Sequence, residues 1–213
     1  MHAKPENHFS DRKVLIFLNI FSLFLFLFIL YAVLNDSYLH DIDTWVHTHI
    51  IAMQTPVLTK VIVFFTNLSG VLANIVFAIL LLLYLSYKKC YEERRFYLYT
   101  VSGAVLLFLA VKQMVGRIRP DTNLIEVINY SFPSGHATLS MTTVLLLYII
   151  FIKKHSSYWV RYSILILFLL WALFIAFTRV YLNVHWLSDV VAGLALGIFW
   201  VSFMWLFLYQ NKL

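Results

Sequence analysis

The chain has 213 residues, of which 62% are hydrophobic and only 12% are charged. A soluble domain is about half apolar and about a quarter charged, so this composition excludes an ordinary soluble protein and predicts one lipid-embedded domain over residues 1–213. The net charge of +6 would suggest nucleic acid in a soluble protein. Here membrane topology accounts for most of that charge, and we expect no nucleic-acid partner.

A first membrane span is predicted at 14–34, because a crossing needs about 20 apolar residues. This run is longer than the apolar core of a signal peptide, and no small-residue cleavage site follows it, so we expect an uncleaved span.

Residues 35–67 are predicted to form helices at the membrane interface. Apolar residues recur there at near-helical spacing with polar residues between them, namely Ile42, Trp45, Val46, Ile50 and Met53. Pro56 can begin a further short helix. A break at 66–70 then precedes a second crossing at 71–87. A single tilted span over 57–87 is the alternative.

A charged turn at 88–95 separates the second crossing from four more predicted spans, at 96–115, 137–152, 162–177 and 186–209. A start at Tyr158 is the alternative for the span at 162–177. The predicted fold class is therefore all-α, a polytopic bundle of six transmembrane helices with short interfacial helices. Gly193 and Gly197, with Ala192 and Ala195 nearby, predict a face on which another helix backbone approaches closely.

The basic residues separate between the two sides of this six-span layout. One side holds Lys4, Arg12, Lys13, Lys88, Lys89, Arg94, Arg95, Lys153, Lys154, Arg161 and Lys212. The other side holds Lys60, Lys112, Arg117, Arg119 and Arg179. Because Lys and Arg in short loops favour the cytoplasm, we expect both termini to be cytoplasmic and the second group to face the extracytoplasmic side.

The polar stretch 112–136 carries groups suited to binding a phosphate. Lys112 and Arg119 are seven residues apart, about two helical turns, so both can reach one site. Guanidinium groups bind phosphate oxygens in pairs, whereas an ammonium acts as a point charge. Arg179, near the end of a later span, would complete the set. Snorkelling to the interface explains Arg117, but it explains these three cations poorly.

Two further segments suggest catalysis. Ser134 is a good N-cap, Gly135 permits close backbone approach, and a helix N-terminus offers N–H groups to an anion. His136, in the first turn, is placed to protonate a leaving alkoxide. Further on, His185 and Asp189 are four residues apart and would share a helix face. There the aspartate can orient the imidazole as a nucleophile.

Three motifs together resemble the type 2 phosphatidic acid phosphatase family, the lipid phosphatase relatives of vanadium haloperoxidases: Lys112-x6-Arg119-Pro120, Pro133-Ser134-Gly135-His136 and Arg179-x5-His185-x3-Asp189. The resemblance covers about 112–197, and the small size suggests the bacterial branch. Thr178 stands where the family usually has serine. The resemblance implies that His185 attacks phosphorus, Asp189 orients it and His136 protonates the leaving oxygen. It also implies that Lys112, Arg119, Ser134, Gly135 and Arg179 hold the phosphate, without a metal or other cofactor.

We therefore expect an integral membrane lipid phosphatase acting on undecaprenyl diphosphate, phosphatidylglycerophosphate or phosphatidic acid, with no obligate protein partner. The alternatives are a vanadate-dependent haloperoxidase-like enzyme and a non-enzymatic membrane protein with a retained anion site. Several residues of the interfacial segment resemble a set of metal ligands: His40, Asp41, Asp43, His47 and His49. They lack a familiar zinc spacing, and exposed interfacial helices often carry such residues, so we predict no metal site there.

Overall fold

The computed structural model of the chain describes residues 8–35, 38–153 and 155–209. These residues form α-helices α1 (His8–Leu34), α2 (Leu39–Ala52), α3 (Pro56–Asn67), α4 (Val71–Tyr87), α5 (Tyr91–Val115), α6 (Gly135–Leu147), α7 (Tyr158–Tyr181) and α8 (Leu187–Met204). Helices α6 and α8 continue into short π-helices at Tyr148–Ile152 and Trp205–Tyr209. No strand occurs within these described ranges.

Six helical segments are long and apolar enough to cross a membrane, which confirms the predicted fold class. They are Arg12–Leu34, Pro56–Tyr87, Tyr91–Val115, Gly135–Ile152, Tyr158–Tyr181 and Leu187–Leu208. Large apolar side chains on their outer faces are exposed, such as Phe24, Leu72 and Leu80. So much outward apolar surface suits hydrocarbon rather than water.

Helix α5 begins earlier in the chain than expected, whereas α7 begins at its alternative predicted start. Helix α5 begins at Tyr91 rather than at 96, and α7 begins at Tyr158 rather than at 162. The acidic residues Glu92 and Glu93, predicted to lie in a turn, occupy the first turn of α5. Carboxylates are stabilised there by the helix dipole, so the charged segment continues the helix instead of interrupting it.

Helix α8 lies at the centre of the bundle and packs on α1 and α6. A Cβ added at Gly193 would lie 2.6 Å from the Ser134 carbonyl oxygen, and one at Gly197 would lie 2.8 Å from that of Thr138. These glycines let the two helix backbones touch, which confirms the predicted small-residue face. As a result, the N-terminus of α6 is held directly against the first turns of α8.

The second crossing is a broken helix, α3 followed by α4. The side chain of Asn74 donates to the carbonyls of Ser69 (2.8 Å) and Gly70 (3.0 Å), so backbone groups freed at the break find a partner. The structure thus confirms the break that was predicted between residues 66 and 70.

Helix α3 runs along α7. The Phe65 ring packs edge-on against Phe174, with centroids 5.3 Å apart, and the Thr59 hydroxyl lies 3.2 Å from that of Tyr181. The apolar segment that can cross the membrane therefore begins at Pro56, as in the single-span alternative. Helix α4 itself begins at Val71, the start that was predicted for the second crossing.

Helix α2 is present, and it buries a carboxylate whose burial the sequence did not predict. Ile42, Trp45 and Met53 are exposed, whereas Asp43 is only 1% exposed. Apolar side chains beside a membrane can remain on the surface of the protein, while a carboxylate is buried only where it has partners. The partners of Asp43 lie on other segments and belong to the site described next.

Candidate active site

Three stretches of the chain meet at one end of the bundle. They are the last turn of α5, the loop 116–134 that leads into α6, and the turn 182–186 between α7 and α8. Backbone hydrogen bonds join them, from Ser134 N–H to the Asp189 carbonyl (3.0 Å) and from Leu124 N–H to the Leu182 carbonyl (3.0 Å). All the residues that the motifs predicted for the site lie in this region.

Lys112 lies in the last turn of α5 and is only 3% exposed. Its ammonium group donates to the main-chain carbonyls of Tyr130 (2.7 Å) and Ser131 (3.2 Å). These neutral acceptors fix the position of the group without neutralising its charge. The positive charge therefore remains available to an anion.

Arg119 is not on a helix, because Gly116 ends α5 with a left-handed conformation (φ 64°). The helix therefore does not continue from Lys112 to Arg119, and the loop carries Arg119 to the site instead. Its guanidinium donates to the main-chain carbonyls of Val184, Asn129 and Tyr130 and to the Asn129 side chain. One of its nitrogens also lies 3.2 Å from Nε2 of His185.

The first turn of α6 forms as its sequence predicts. The buried Ser134 is the N-cap, and its hydroxyl accepts a hydrogen bond from Ala137 N–H (3.5 Å). A Cβ added to Gly135 would lie 3.0 Å from the Phe108 ring, so only glycine fits easily there. The next residue, His136, is half-buried and interacts electrostatically with the cations of the site and with His185.

Arg179 lies in the last turn of α7 and is 3% exposed. One of its terminal nitrogens donates to the Thr66 hydroxyl of α3 (2.9 Å), which also accepts from the Thr178 hydroxyl (3.0 Å). The Nε atom of Arg179 is buried without a hydrogen-bond partner in the part of the chain that the structure describes. An unpartnered guanidinium N–H is costly, and an anion beside it would satisfy it.

His185 and Asp189 are in contact, although the local structure differs from the prediction. Helix α8 begins at Leu187, so His185 lies before the helix. The prediction that His185 and Asp189 share a helix face is therefore wrong. Asp189 is the third residue of α8, and its carboxylate accepts from the backbone N–H of Trp186 (3.0 Å). The same oxygen lies 3.3 Å from Nδ1 of His185. A capping interaction thus brings the two side chains together.

The contacts of the imidazole define its protonation. A carboxylate only accepts hydrogen bonds, so Nδ1 of His185 carries the proton and Nε2 presents a lone pair towards Arg119. Burial lowers the pKa of His185 well below its ordinary value, and the positive charges of Arg119, Arg179 and Lys112 lower it further. At neutral pH the ring is therefore an uncharged imidazole with a fixed orientation, surrounded by cations.

A sequence profile of the PAP2 superfamily matches residues 95–213, more than half of the chain. This segment includes all three motifs. The chain belongs to the PAP2 superfamily. Its six apolar segments are typical of a multi-pass membrane protein of this superfamily.

Relatives in this family are similar over much of the chain. Phosphatidylglycerophosphatase B of Bacillus subtilis is 28% identical over 183 residues, which cover 83% of this chain and 88% of the relative. An undecaprenyl-diphosphatase of Sulfolobus acidocaldarius is 34% identical over 108 residues, which cover 47% and 48% of the two chains.

The crystal structure of the transmembrane PAP2-type phosphatidylglycerolphosphate phosphatase from Bacillus subtilis superposes with a TM-score of 0.76 at 23% identity. The match covers 90% of this chain and 97% of that one. The crystal structure of LpxE from Aquifex aeolicus superposes with a TM-score of 0.60 at 21% identity, and the match covers 74% of this chain and 91% of that one. At these identities the likeness establishes a shared fold.

Arg117 is a residue of this PAP2 site that the motifs did not indicate. Its guanidinium donates to Asp189 Oδ1 (2.6 Å) and to Asp43 Oδ2 (2.7 Å), and its side chain is 15% exposed. The interpretation of Arg117 as a residue that snorkels to the interface is therefore wrong. Its position two residues before Arg119, in the loop that reaches α8, was the available signal.

The prediction that Asp43 is an exposed residue of an interfacial helix is wrong. Its buried carboxylate accepts from Ser188 N–H (2.8 Å) and from the Ser188 hydroxyl (2.5 Å) in addition to Arg117. Asp43, Val46 and Ile50 recur at helical spacing on one face of α2. An acidic residue in line with two apolar residues could have signalled a buried ion pair.

Proposed function

We propose that this chain removes a terminal phosphate from a membrane lipid through a phosphohistidine formed on His185. The observation that carries the proposal is the orientation of this imidazole. Its Nδ1 is tied to Asp189, and its Nε2 lone pair faces Arg119 across 3.2 Å. A phosphoryl group bound by Arg119 would therefore lie against the nucleophilic atom.

The charges of the site support a phosphate ligand. Four cationic side chains, namely Lys112, Arg117, Arg119 and Arg179, lie with two carboxylates, Asp43 and Asp189. The excess of positive charge matches a phosphate monoester, which carries about −1.5 to −2 near neutral pH. The unpartnered Nε of Arg179 and the N-terminus of α6 add donors for phosphate oxygens.

In the first chemical step, Nε2 of His185 forms a bond to phosphorus while the bond from phosphorus to the leaving oxygen breaks. His136 gives its proton to that oxygen. Lys112, Arg119 and Arg179 stabilise the charge that builds on the phosphoryl oxygens, with Ser134 and Gly135 at the helix N-terminus. Such fixed cations can do the work that magnesium does in other phosphoryl transfers, so we propose a metal-independent reaction.

In the second step, water replaces His185 on phosphorus. His136, now neutral, takes a proton from the attacking water, and the bond from Nε2 to phosphorus breaks to release inorganic phosphate. Asp189 holds the imidazole in the same orientation in both steps. The two histidines therefore have separate tasks, one covalent and one in proton transfer.

The proposed substrates are phosphatidylglycerophosphate, undecaprenyl diphosphate and phosphatidic acid. Relatives bear the names of the first two activities. Each substrate combines a terminal phosphate with apolar tails that suit the exposed apolar faces of the spans. The cationic cluster at the end of the bundle would meet the headgroup while the tails remain in the bilayer.

The experiment is phosphate release by the purified protein in detergent from these three lipids, with and without a chelator. We expect release from at least one lipid, unaffected by chelator and inhibited by vanadate, which mimics pentacoordinate phosphorus. His155→Ala, an exposed histidine at the opposite end of the bundle, is the matched control for substitutions of the site histidines. No release from any lipid, or a loss in chelator that magnesium restores, would contradict the proposal.

We further propose that the site faces the extracytoplasmic side, because the described residues on the opposite side include Lys88, Lys89, Arg94 and Arg95. In a Cys90→Ala background, cysteine at the exposed Asn123 should react with an impermeant maleimide in intact cells. Cysteine at the exposed Ser156, at the other end of the bundle, should react only after lysis. The reverse pattern would overturn the orientation.

A further inference from the structure

Behind His185 the structure holds a chain of ion pairs formed by Asp43, Arg117 and Asp189, here called the carboxylate–arginine triad. Arg117 lies between the two carboxylates, 2.6 Å from Asp189 and 2.7 Å from Asp43. The side chains of the carboxylates are 0% and 1% exposed. An ion pair so deeply buried is held only where its geometry and its hydrogen bonds are nearly complete.

Every oxygen of the triad has a donor. Asp189 Oδ1 accepts from Arg117, while Oδ2 accepts from Trp186 N–H and faces His185 Nδ1. Asp43 Oδ1 accepts from Ser188 N–H. Asp43 Oδ2 accepts from Ser188 Oγ and from Arg117. Because both oxygens of Asp189 are held, its carboxylate cannot rotate away from the imidazole.

Arg117 differs in this respect from the other arginines of the site. Its two terminal nitrogens are directed at carboxylates and at the Ser188 hydroxyl, whereas Arg179 has a buried nitrogen without a partner in the described structure. The triad is therefore placed to act on Asp189 rather than on a phosphate.

The chemistry of the nucleophile gives the triad a task. When Nε2 bonds to phosphorus, the ring keeps its Nδ1 proton and acquires one positive charge. Asp189 alone would balance that charge, but its ion pair with Arg117 is neutral as a whole. The carboxylate of Asp43 brings the triad to one net negative charge, equal and opposite to the charge on the ring.

We propose that Arg117 and Asp43 are positioning residues for the phosphohistidine step: Arg117 holds Asp189 against His185, and Asp43 keeps the triad at one net negative charge. This inference rests on the proposed function, because the positive ring arises only if His185 becomes phosphorylated. It also assigns α2 a role in catalysis, since Asp43 reaches the site from that helix.

A purely structural role for Asp43 predicts different results. Asp43 accepts from the N–H of Ser188 in the first turn of α8, so it also joins α2 to the start of that helix. If that were its only role, replacing Asp43 would lower the melting temperature. Replacing Arg117 as well would remove further contacts and lower the activity further. Asp43→Asn removes the charge and keeps one of the two acceptor oxygens, so the melting temperature reports the lost contact while kcat reports the lost charge.

The experiment measures kcat, KM and melting temperature on a phosphomonoester lipid in detergent. Asp43→Asn should lower kcat by about tenfold or more, with KM within about threefold of wild type. The matched control is Asp41→Asn, which removes the same charge from an exposed position on the same helix and should stay within about twofold. The decisive variant is Asp43→Asn/Arg117→Gln, which returns the triad to one negative charge and should regain several-fold of the lost kcat.

A double variant no more active than Asp43→Asn would overturn the charge role. If Asp43→Asn does not purify as a folded protein, Arg117→Lys takes its place. Lysine preserves every charge but not the paired geometry of the guanidinium, so this variant should lower kcat by less than Asp189→Asn does. A loss as large as that of Asp189→Asn would then overturn the proposal. Failure of the proposed function itself is distinguishable, because wild-type protein would then release no phosphate.

Discussion

The two histidines of the site differ in how firmly the structure holds them. His185 is 4% exposed, and both ring nitrogens have neighbours, Asp189 on one side and Arg119 on the other. His136 is half-buried in the first turn of α6, and its ring makes no hydrogen bond with any residue that the structure describes. The imidazole of His185 is therefore fixed in orientation, whereas no hydrogen bond from a described residue fixes the imidazole of His136.

This difference matches the demands of the two proposed tasks. A nucleophile gains from having one lone pair aimed at phosphorus, since alignment lowers the entropy lost in the reaction. A general acid must exchange protons with water between turnovers, and a half-buried ring allows that exchange. The predictions below test the division of tasks, beginning with the largest expected effect.

Replacing His185 by alanine should abolish the covalent step. We expect kcat to fall on the order of 10⁴-fold or more, with no phosphoenzyme after acid quenching, because no other residue supplies the nucleophile. Labelled phosphate retained on the protein after the quench is the measurement. A phosphoenzyme that persists in His185→Ala would move the nucleophile to another residue, and His155→Ala should behave as wild type.

Asp189→Asn should have the next largest effect. The nucleophile remains, but the amide can donate to Nδ1 and favour the wrong tautomer, and the ring loses its balancing charge. A fall in kcat of about 10³-fold is expected, with a slow but detectable phosphoenzyme. Single-turnover kinetics would measure it. Activity near that of wild type would mean that the contact between His185 and Asp189 is only structural.

His136→Ala should show a loss that depends on the leaving group. An alkoxide leaves poorly without a proton, so kcat on phosphatidic acid should fall by about 10²–10⁴-fold. Nitrophenolate needs little protonation, so the loss on nitrophenyl phosphate should be at least about tenfold smaller. Parallel assays of both substrates provide the measurement. Equal losses on the two substrates would remove the general-acid role.

The smallest expected effect is a shift in pH dependence. Burial, then the charges of Arg119, Arg179 and Lys112, lower the pKa of His185 below its ordinary value of 6.5. Its neutral form therefore persists as the pH falls through 6.5, and kcat/KM on nitrophenyl phosphate should decline only at more acidic pH. Arg119→Gln removes one of these charges, so it should move that acidic decline towards higher pH.

The control for this shift is Lys60→Gln, which removes a charge that does not act on His185. Its pH profile should match that of the wild type. Comparing the variants on one substrate cancels the titration of the substrate phosphate. An acidic decline that stays in place in Arg119→Gln, or moves towards lower pH, would show that Arg119 does not act on the charge of His185.

Much of the fold could be predicted because membrane spans leave a strong one-dimensional signal. Each crossing is a long apolar run, and the six spans follow from run length alone. The helix ends were less certain, as the first turn of α5 shows. Residues such as Glu92 are polar and were placed in a turn, yet carboxylates are favourable at a helix N-terminus.

The residues of the candidate site were predictable to the extent that they stand in short motifs. Lys112 and Arg119 lie in one loop and its preceding helix turn, and His185 lies four residues from Asp189. Their spacing suggested helical geometry that the structure replaces with a left-handed turn at Gly116 and a helix cap at Trp186. The two residues of each pair still meet, because few residues separate Lys112 from Arg119 and His185 from Asp189.

The sequence alone thus determined the family, the number of membrane-spanning segments and the cationic and imidazole groups of the candidate site, because each depends on neighbours within a few residues. Only the tertiary structure decided which charges are paired and which remain available to an anion. Asp43 and Arg117 are 74 residues apart and meet through the packing of α2 against α8. An isolated aspartate on an amphipathic helix has no partner in its own segment, so the ion pair exists only in the folded bundle.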